Sequence, residues 1–124
     1  MKDQNKEWKK NFLDRLLKFS VRVVLLSNEL PKTPAGFAIA SQLIRSGTSI
    51  GANVEEAQDA SSPKDFIQKL SISLREAKET RYWLKIVIET KLIIGKKIQD
   101  VILECGEIIA ILISSIKSSK AKLI

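Results

Sequence analysis

Apolar residues recur along this chain at intervals of three and four. From Trp8 to Leu30 they fall at Trp8, Phe12, Leu16, Phe19, Val23, Leu26 and Leu30, the stripe of a helix with one buried face. Two prolines and a glycine in LPKTPAG end that segment. No proline interrupts residues 35 to 59, where Leu43, Gly47, Ile50, Val54 and Ala57 again step by three and four. In SSPKD, Ser62 is placed to cap a third helix, with Pro63 at its first position and Asp65 in its first turn. Its stripe runs Phe66, Leu70, Ser73, Ala77, Thr80, Leu84 and Val87, with Tyr82 and Trp83 alongside. Gly95 breaks the chain, and Ile98, Val101, Ile102, Cys105, Ile108, Ile109, Leu112 and Ile116 make a fourth helix.

Long helices joined by short connections pack as antiparallel neighbours. The pattern therefore predicts an all-α fold, an up-down-up-down four-helix bundle, with residues 1–124 as one domain. The fourth helix is apolar on more than one face from 108 to 113. A bundle buries one stripe per helix, so this surplus predicts contact between subunits.

The stretch RSGTSIGANVEEAQD, residues 45 to 59, stands apart because it is small and polar. A phosphate-cradling loop is one reading of it and a helix is the other. Glu55, Glu56 and Asp59 would repel an anion, and the apolar spacing favours the helix. On a helical wheel Gln42, Ser46, Ser49, Asn53 and Glu56 share a sector of about 80° beside the core face. Exposed helix surfaces usually carry Lys and Glu, whereas short Ser, Asn and Gln side chains suit the close approach of another helix. The stripe is read here as packing, with ligand binding as the competing reading. A hairpin of helices two and three would bring Arg45 within a turn of Glu76 and Glu79 and set Gln42 opposite Arg81, predicting an ion pair from Arg45.

Charge adds the first functional content. The 124 residues hold 21 Lys and Arg against 14 Asp and Glu, a formal charge of +7, which makes polyanions plausible partners. The excess concentrates in the first helix, where Lys6, Lys9, Lys10, Arg15, Lys18 and Arg22 lie off the apolar stripe. These six are the candidate phosphate contacts, joined by Lys85, Lys117 and Lys120. Aromatic residues make up 6% of the chain, so base stacking is a minor expectation and sequence preference should be slight.

Other chemistries are excluded by what the chain lacks. It has no histidine and one cysteine, Cys105, so neither a thiolate metal cluster nor the carboxylate–histidine set of di-iron bundles can be assembled. No phosphate loop, dinucleotide fingerprint or nucleophile elbow occurs. No metal, cofactor or enzymatic activity is expected. The longest aliphatic run, residues 108–113, is far below the roughly 20 residues of a membrane span. The N-terminus MKDQNKEWKKNF has no apolar core of a signal peptide, so a cytoplasmic location and no membrane partner are expected.

Residues 30 to 84 also carry a resemblance. Gln42, Leu43 and Arg45, then Ser49, Ile50, Asn53, Val54 and Glu56, then Asp65, Phe66, Ser73 and Glu76 match the signature of the bacterial four-helix-bundle family encoded in intervening sequences of 23S ribosomal RNA genes. Many members have glycine after the motif glutamate, where this chain has Ala57, so helix continuation is expected there. The resemblance implies a left-handed bundle, a homopentamer and no known enzymatic activity. A similar bundle, the accessory protein of diversity-generating retroelements, is a basic pentamer that binds a reverse transcriptase and nucleic acid. These features together lead to the expectation of a basic homo-oligomeric scaffold for RNA or DNA, serving a reverse transcriptase or another nucleic-acid enzyme. The alternative is a structural or protein-interaction oligomer with no nucleic-acid role.

Overall fold

The computed structural model describes residues 2–123, with side chains from Lys6 onward. Four helices follow one another: α1 (Lys2–Ser27), α2 (Pro34–Ala57), α3 (Pro63–Thr90) and α4 (Lys96–Ala121). Each packs on two neighbours in the cyclic order α1, α2, α3, α4 and back to α1.

Local chemistry sets the boundaries. The Thr33 side chain accepts the Gly36 N–H at 3.1 Å, and Pro34 opens α2 with the fixed φ that suits a first turn. Ser62 does the same for α3, accepting the Asp65 N–H at 3.1 Å, while the Asp65 carboxylate accepts the Ser61 N–H at 3.1 Å. The α1 segment stops at Ser27, before Leu30, because the N–H groups of Glu29 and Leu30 turn back to Leu26 and Ser27 in tighter bonds. Leu30 stays buried beyond the helix end. The α3 helix ends at Thr90, ahead of Gly95, through Lys91 in the left-handed conformation, and the Lys91 and Leu92 N–H groups close onto the Ile88 and Val87 carbonyls.

The predicted stripes meet in one core. Phe12, Leu16, Phe19, Val23 and Leu26 of α1 are buried against Leu43, Ile50 and Val54 of α2, Leu70, Ala77, Leu84 and Val87 of α3, and Ile98, Val101, Cys105, Ile108 and Leu112 of α4. Four members of the stripes differ from expectation, among them Ile102 and Ile116 of α4, which are only half-buried. Trp8 is 53% exposed, stacked on Phe12 with ring centroids 5.6 Å apart, because it sits where the bundle opens at its end. Phe66 is only half-buried, and its neighbour Ile67 goes inside.

Cross-helix pairs show the directions. Arg45, Ile50 and Glu56 of α2 meet Glu79, Ser73 and Lys69 of α3 in descending order. Gly47 and Gly51 of α2 meet Val23 and Leu16 of α1, and Arg15 and Glu29 meet Glu104 and Lys97 near or on α4. Each of these pairings is antiparallel, so the chain runs up, down, up, down.

Candidate functional site

The stretch from Arg45 to Asp59 is helical through Ala57, and the two neighbouring helices account for its composition. A Cβ at Gly47 would lie 2.7 Å from Val23 Cγ1, and one at Gly51 would lie 3.4 Å from Leu16 Cβ. The glycines therefore let α1 approach α2 more closely than any side chain would allow at position 47. On the other flank, α2 meets α3 through hydroxyls. The buried Thr80 hydroxyl donates to Ser46 Oγ at 2.9 Å, and Ser46 passes its own proton to the Gln42 carbonyl. Ser73, also buried, donates to the Ile50 carbonyl at 2.8 Å. Every buried side-chain polar atom among the described residues has a partner.

The rest of the polar stripe lies at the rim of that seam. Arg45 donates to Gln42, to Glu76 at 3.3 Å and to Glu79, which also accepts the Trp83 indole N–H at 3.1 Å. Glu56 accepts from Lys69 at 3.2 Å. Ser49 and Asn53 are half-buried and donate to carbonyls of their own helix, Arg45 and Ser49 respectively. Ser46, Ser73 and Thr80 thus carry the buried contacts between α2 and α3, while Ser49 and Asn53 remain reachable from outside.

The six basic candidates of α1 divide between two flanks. Arg15 grips Glu104 with two hydrogen bonds, Nε to Oε2 at 2.6 Å and Nη2 to Oε1 at 2.7 Å, and lies 3.5 Å from Glu107. These bonds hold the Glu104 carboxyl below its usual range against the opposing effect of burial, with Arg22 contributing through its charge. The Arg15 guanidinium is held above its ordinary value by the same hydrogen bonds. Lys18 is exposed and pairs with Asp14 one turn back at 3.1 Å. Arg15 thus has its charge largely answered by α4, whereas Arg22 acts on Glu104 only through its charge and forms no ion pair among the described residues.

On the opposite flank, Lys6, Lys9 and Lys10 are exposed and form no ion pair among the described residues. They stand along a groove of about 950 Å³ between α1 and α2. Its apolar lining includes Leu13, Leu17 and Ala52, and Glu55 stands on the α2 side. Because α4 is antiparallel to α1, its C-terminal Lys117 and Lys120, both exposed, come to the same end of the bundle as these three lysines. Ser115 of α4 shares a small cleft with Trp8 and Lys9 there. Lys85, in the last turns of α3, lies toward the other end.

The α4 run leaves apolar surface outside the core, and a second apolar surplus lies on α1, where the core stripe did not indicate it. Within residues 108–113, Ile108, Ile109 and Leu112 are buried, Ile111 is half-buried and Ala110 and Ile113 are exposed, Ile113 at 46%, with Leu103 further back at 66%. The larger exposed stripe is on α1, where Leu17, Val21 and Leu25 are 62%, 49% and 59% exposed. Their spacing of four was a second periodic signal in the α1 sequence.

No group of three or more metal-capable side chains occurs among the described residues, and no helix there is long and apolar enough to cross a membrane. Cys105 is buried, donating to the Ala77 carbonyl at 3.3 Å, and burial pushes its thiol up to about 12.

Fold and surface together define an all-α bundle whose distinctive chemistry is a group of lysines with no ion pair among the described residues, together with exposed apolar stripes. The family model of the 23S rRNA-intervening sequence protein matches residues 8–114, and the chain belongs to that family. Among solved structures it is similar to a protein of unknown function from the S23 ribosomal protein family of Bacteroides thetaiotaomicron VPI-5482. The two are 45% identical with a TM-score of 0.79, over 85% of this chain and 97% of that one. Nothing among the curated proteins matches.

Proposed function

We propose that this protein is a non-enzymatic, basic, self-associating scaffold of the cytoplasm that holds RNA or DNA by its phosphates. The observation that carries this reading is the convergence of Lys6, Lys9 and Lys10 of α1 with Lys117 and Lys120 of α4 at one end of the bundle, the first three with no ion pair among the described residues. Phosphate contacts require exposed cations that the protein does not already neutralise. Arg15, answered by Glu104 and Glu107, serves the bundle instead, whereas Arg22, with no ion pair among the described residues, stays available to a phosphate.

Self-association belongs to the same proposal. Val21 and Leu25 on α1, with Leu103 and Ile113 on α4, give each subunit two separate exposed apolar surfaces, while Leu17 stands apart in the groove between α1 and α2. Two different surfaces on one subunit suit head-to-tail contacts, which close into rings, and the resemblance makes five the expected number. A ring repeats the basic end in every subunit, converting weak phosphate contacts into avidity. Service to a nucleic-acid enzyme such as a reverse transcriptase is the corresponding partnership.

The test is light scattering on the free protein at micromolar concentration, followed by binding of labelled RNA with unlabelled polyanion and scrambled RNA as competitors. The reading expects a multiple of the 13.9 kDa subunit mass and competition by any polyanion. A monomer contradicts the self-association, and RNA that does not bind at low salt contradicts the phosphate reading. The exposed α1 stripe also supports the second reading, a protein-interaction oligomer whose lysines meet an acidic partner.

A further inference from the structure

The groove between α1 and α2 gives that polyanion a form. Resting on the phosphate reading above, we propose that the groove is a single-strand site, in which the backbone of an unpaired polynucleotide follows Lys6, Lys9 and Lys10 while its bases turn inward over Leu13, Leu17 and Ala52.

Three features of the groove select this ligand. Its cations lie on consecutive turns of α1, and the one lining carboxylate on that helix, Asp14, is answered by Lys18 at 3.1 Å, so a phosphate chain can follow the lysines without meeting Glu55 on the α2 wall. Its lining is aliphatic and open to solvent, with Leu17 62% exposed, so a base face laid on it removes apolar surface from water. Its polar atoms other than the lysines include acceptors. Thr48 spends its proton on the Ile44 carbonyl at 2.6 Å and Ser20 spends its own on the Leu16 carbonyl at 3.1 Å. With the Glu55 carboxylate on the α2 side, these oxygens can receive the exocyclic amino groups of bases. Glu55, unfavourable beside a phosphate, is favourable beside a base edge.

A duplex cannot use the site in this way. Its bases are paired inside a convex rod, so only its phosphates can reach the lysines, and the aliphatic lining stays wet. The groove adds a contribution specific to unpaired bases to the electrostatic one that every nucleic acid shares.

Fluorescence anisotropy at fixed salt compares a labelled single strand with the duplex of the same sequence, on wild type, Ala52→Gln and Leu17→Ser. Both substituted positions are exposed, and circular dichroism confirms the fold of each variant. Wild type should bind the single strand about tenfold more tightly than the duplex, a modest figure for base contacts. Ala52→Gln, which fills the groove with a neutral polar side chain that offers no stacking face, and Leu17→Ser, which removes part of its lining, should each abolish most of that preference and leave duplex binding unchanged. Equal wild-type affinities for the two forms would overturn the groove site and leave the phosphate reading standing, whereas no binding of either form would overturn both. An acidic amphipathic peptide that binds in an Ala52→Gln-sensitive way, with single-strand binding insensitive to that change, would reassign the groove to a protein partner.

Discussion

Arg15 of α1 and Glu104 of α4 meet in a two-pronged pair, with both hydrogen bonds at 2.7 Å or less. This places a residue that looks like surface charge in α1 at a seam between the first and last helices. Replacing Glu104 with Gln should cost about 1 kcal/mol, the scale of a partly exposed charged hydrogen bond. The pair also gives stability a pH dependence. The folded carboxyl titrates below its ordinary value, so its contribution is present above the unfolded value near 4.3 and fades as pH falls through the lowered one. Chemical denaturation of both proteins from neutral to acid pH should show the two curves converging at the acid end.

The close approach of α1 and α2 depends on Gly47. A methyl there meets Val23 at 2.7 Å, so Gly47→Ala should destabilise by about 1–3 kcal/mol, the usual cost of overpacking. Adding Val23→Ala should recover part of that loss, because the two positions share one space. A double variant no more stable than the sum of the single changes would place the constraint elsewhere.

The polar stripe of α2 should divide by position. Ser46 is buried and bonded across to Thr80, whereas Ser49 is half-buried and bonded only within α2. Ser46→Leu should lower thermal stability strongly, since it overfills the seam and removes the Thr80 partner. Ser49→Leu should leave the isolated bundle close to wild type. Thermal unfolding of the two variants separates a seam residue from one available to an outside contact.

Cys105 should be chemically silent in the folded protein. Its thiol is buried and raised to about 12, and alkylating reagents need the thiolate. Iodoacetamide at mildly alkaline pH should label it only after denaturation. Because the folded value exceeds the unfolded one of about 8.5, this group's stabilising contribution is intact below that pH and is lost as pH rises toward the folded value.

Much of the bundle was legible in the chain because one buried stripe per helix is a local signal. Leu43, Ile50 and Val54 announce their face without reference to a partner, and Ser62-Pro63 announces a helix start by its own chemistry. The Arg45 pairing with Glu76 and Glu79 followed from a hairpin register that the turn near residue 60 constrains. The reason for Gly47 was not legible, since the residue that forbids a side chain there, Val23, belongs to another helix. The same holds for the basic residues of α1. A single helical wheel shows that Lys9 and Arg15 both avoid the core, but only the positions of α2 and α4 show that one lines a groove and the other meets two carboxylates. Trp8 fits the apolar period and still lies half outside, because the stripe continues past the end of the core.

If the lysine-bearing end of the bundle grips phosphates, charge reversal on one flank should release them. Lys6→Glu, Lys9→Glu and Lys10→Glu combined should leave folding and subunit assembly intact, since none of the three makes an ion pair among the described residues. Binding of labelled RNA is then measured by anisotropy at several salt concentrations. The account predicts a large loss of affinity at low salt and a shallower salt dependence, the log–log slope falling by roughly 0.7 for each phosphate contact removed from a single strand. A folded triple variant that keeps wild-type affinity and slope would show that this end of the bundle does not hold nucleic acid.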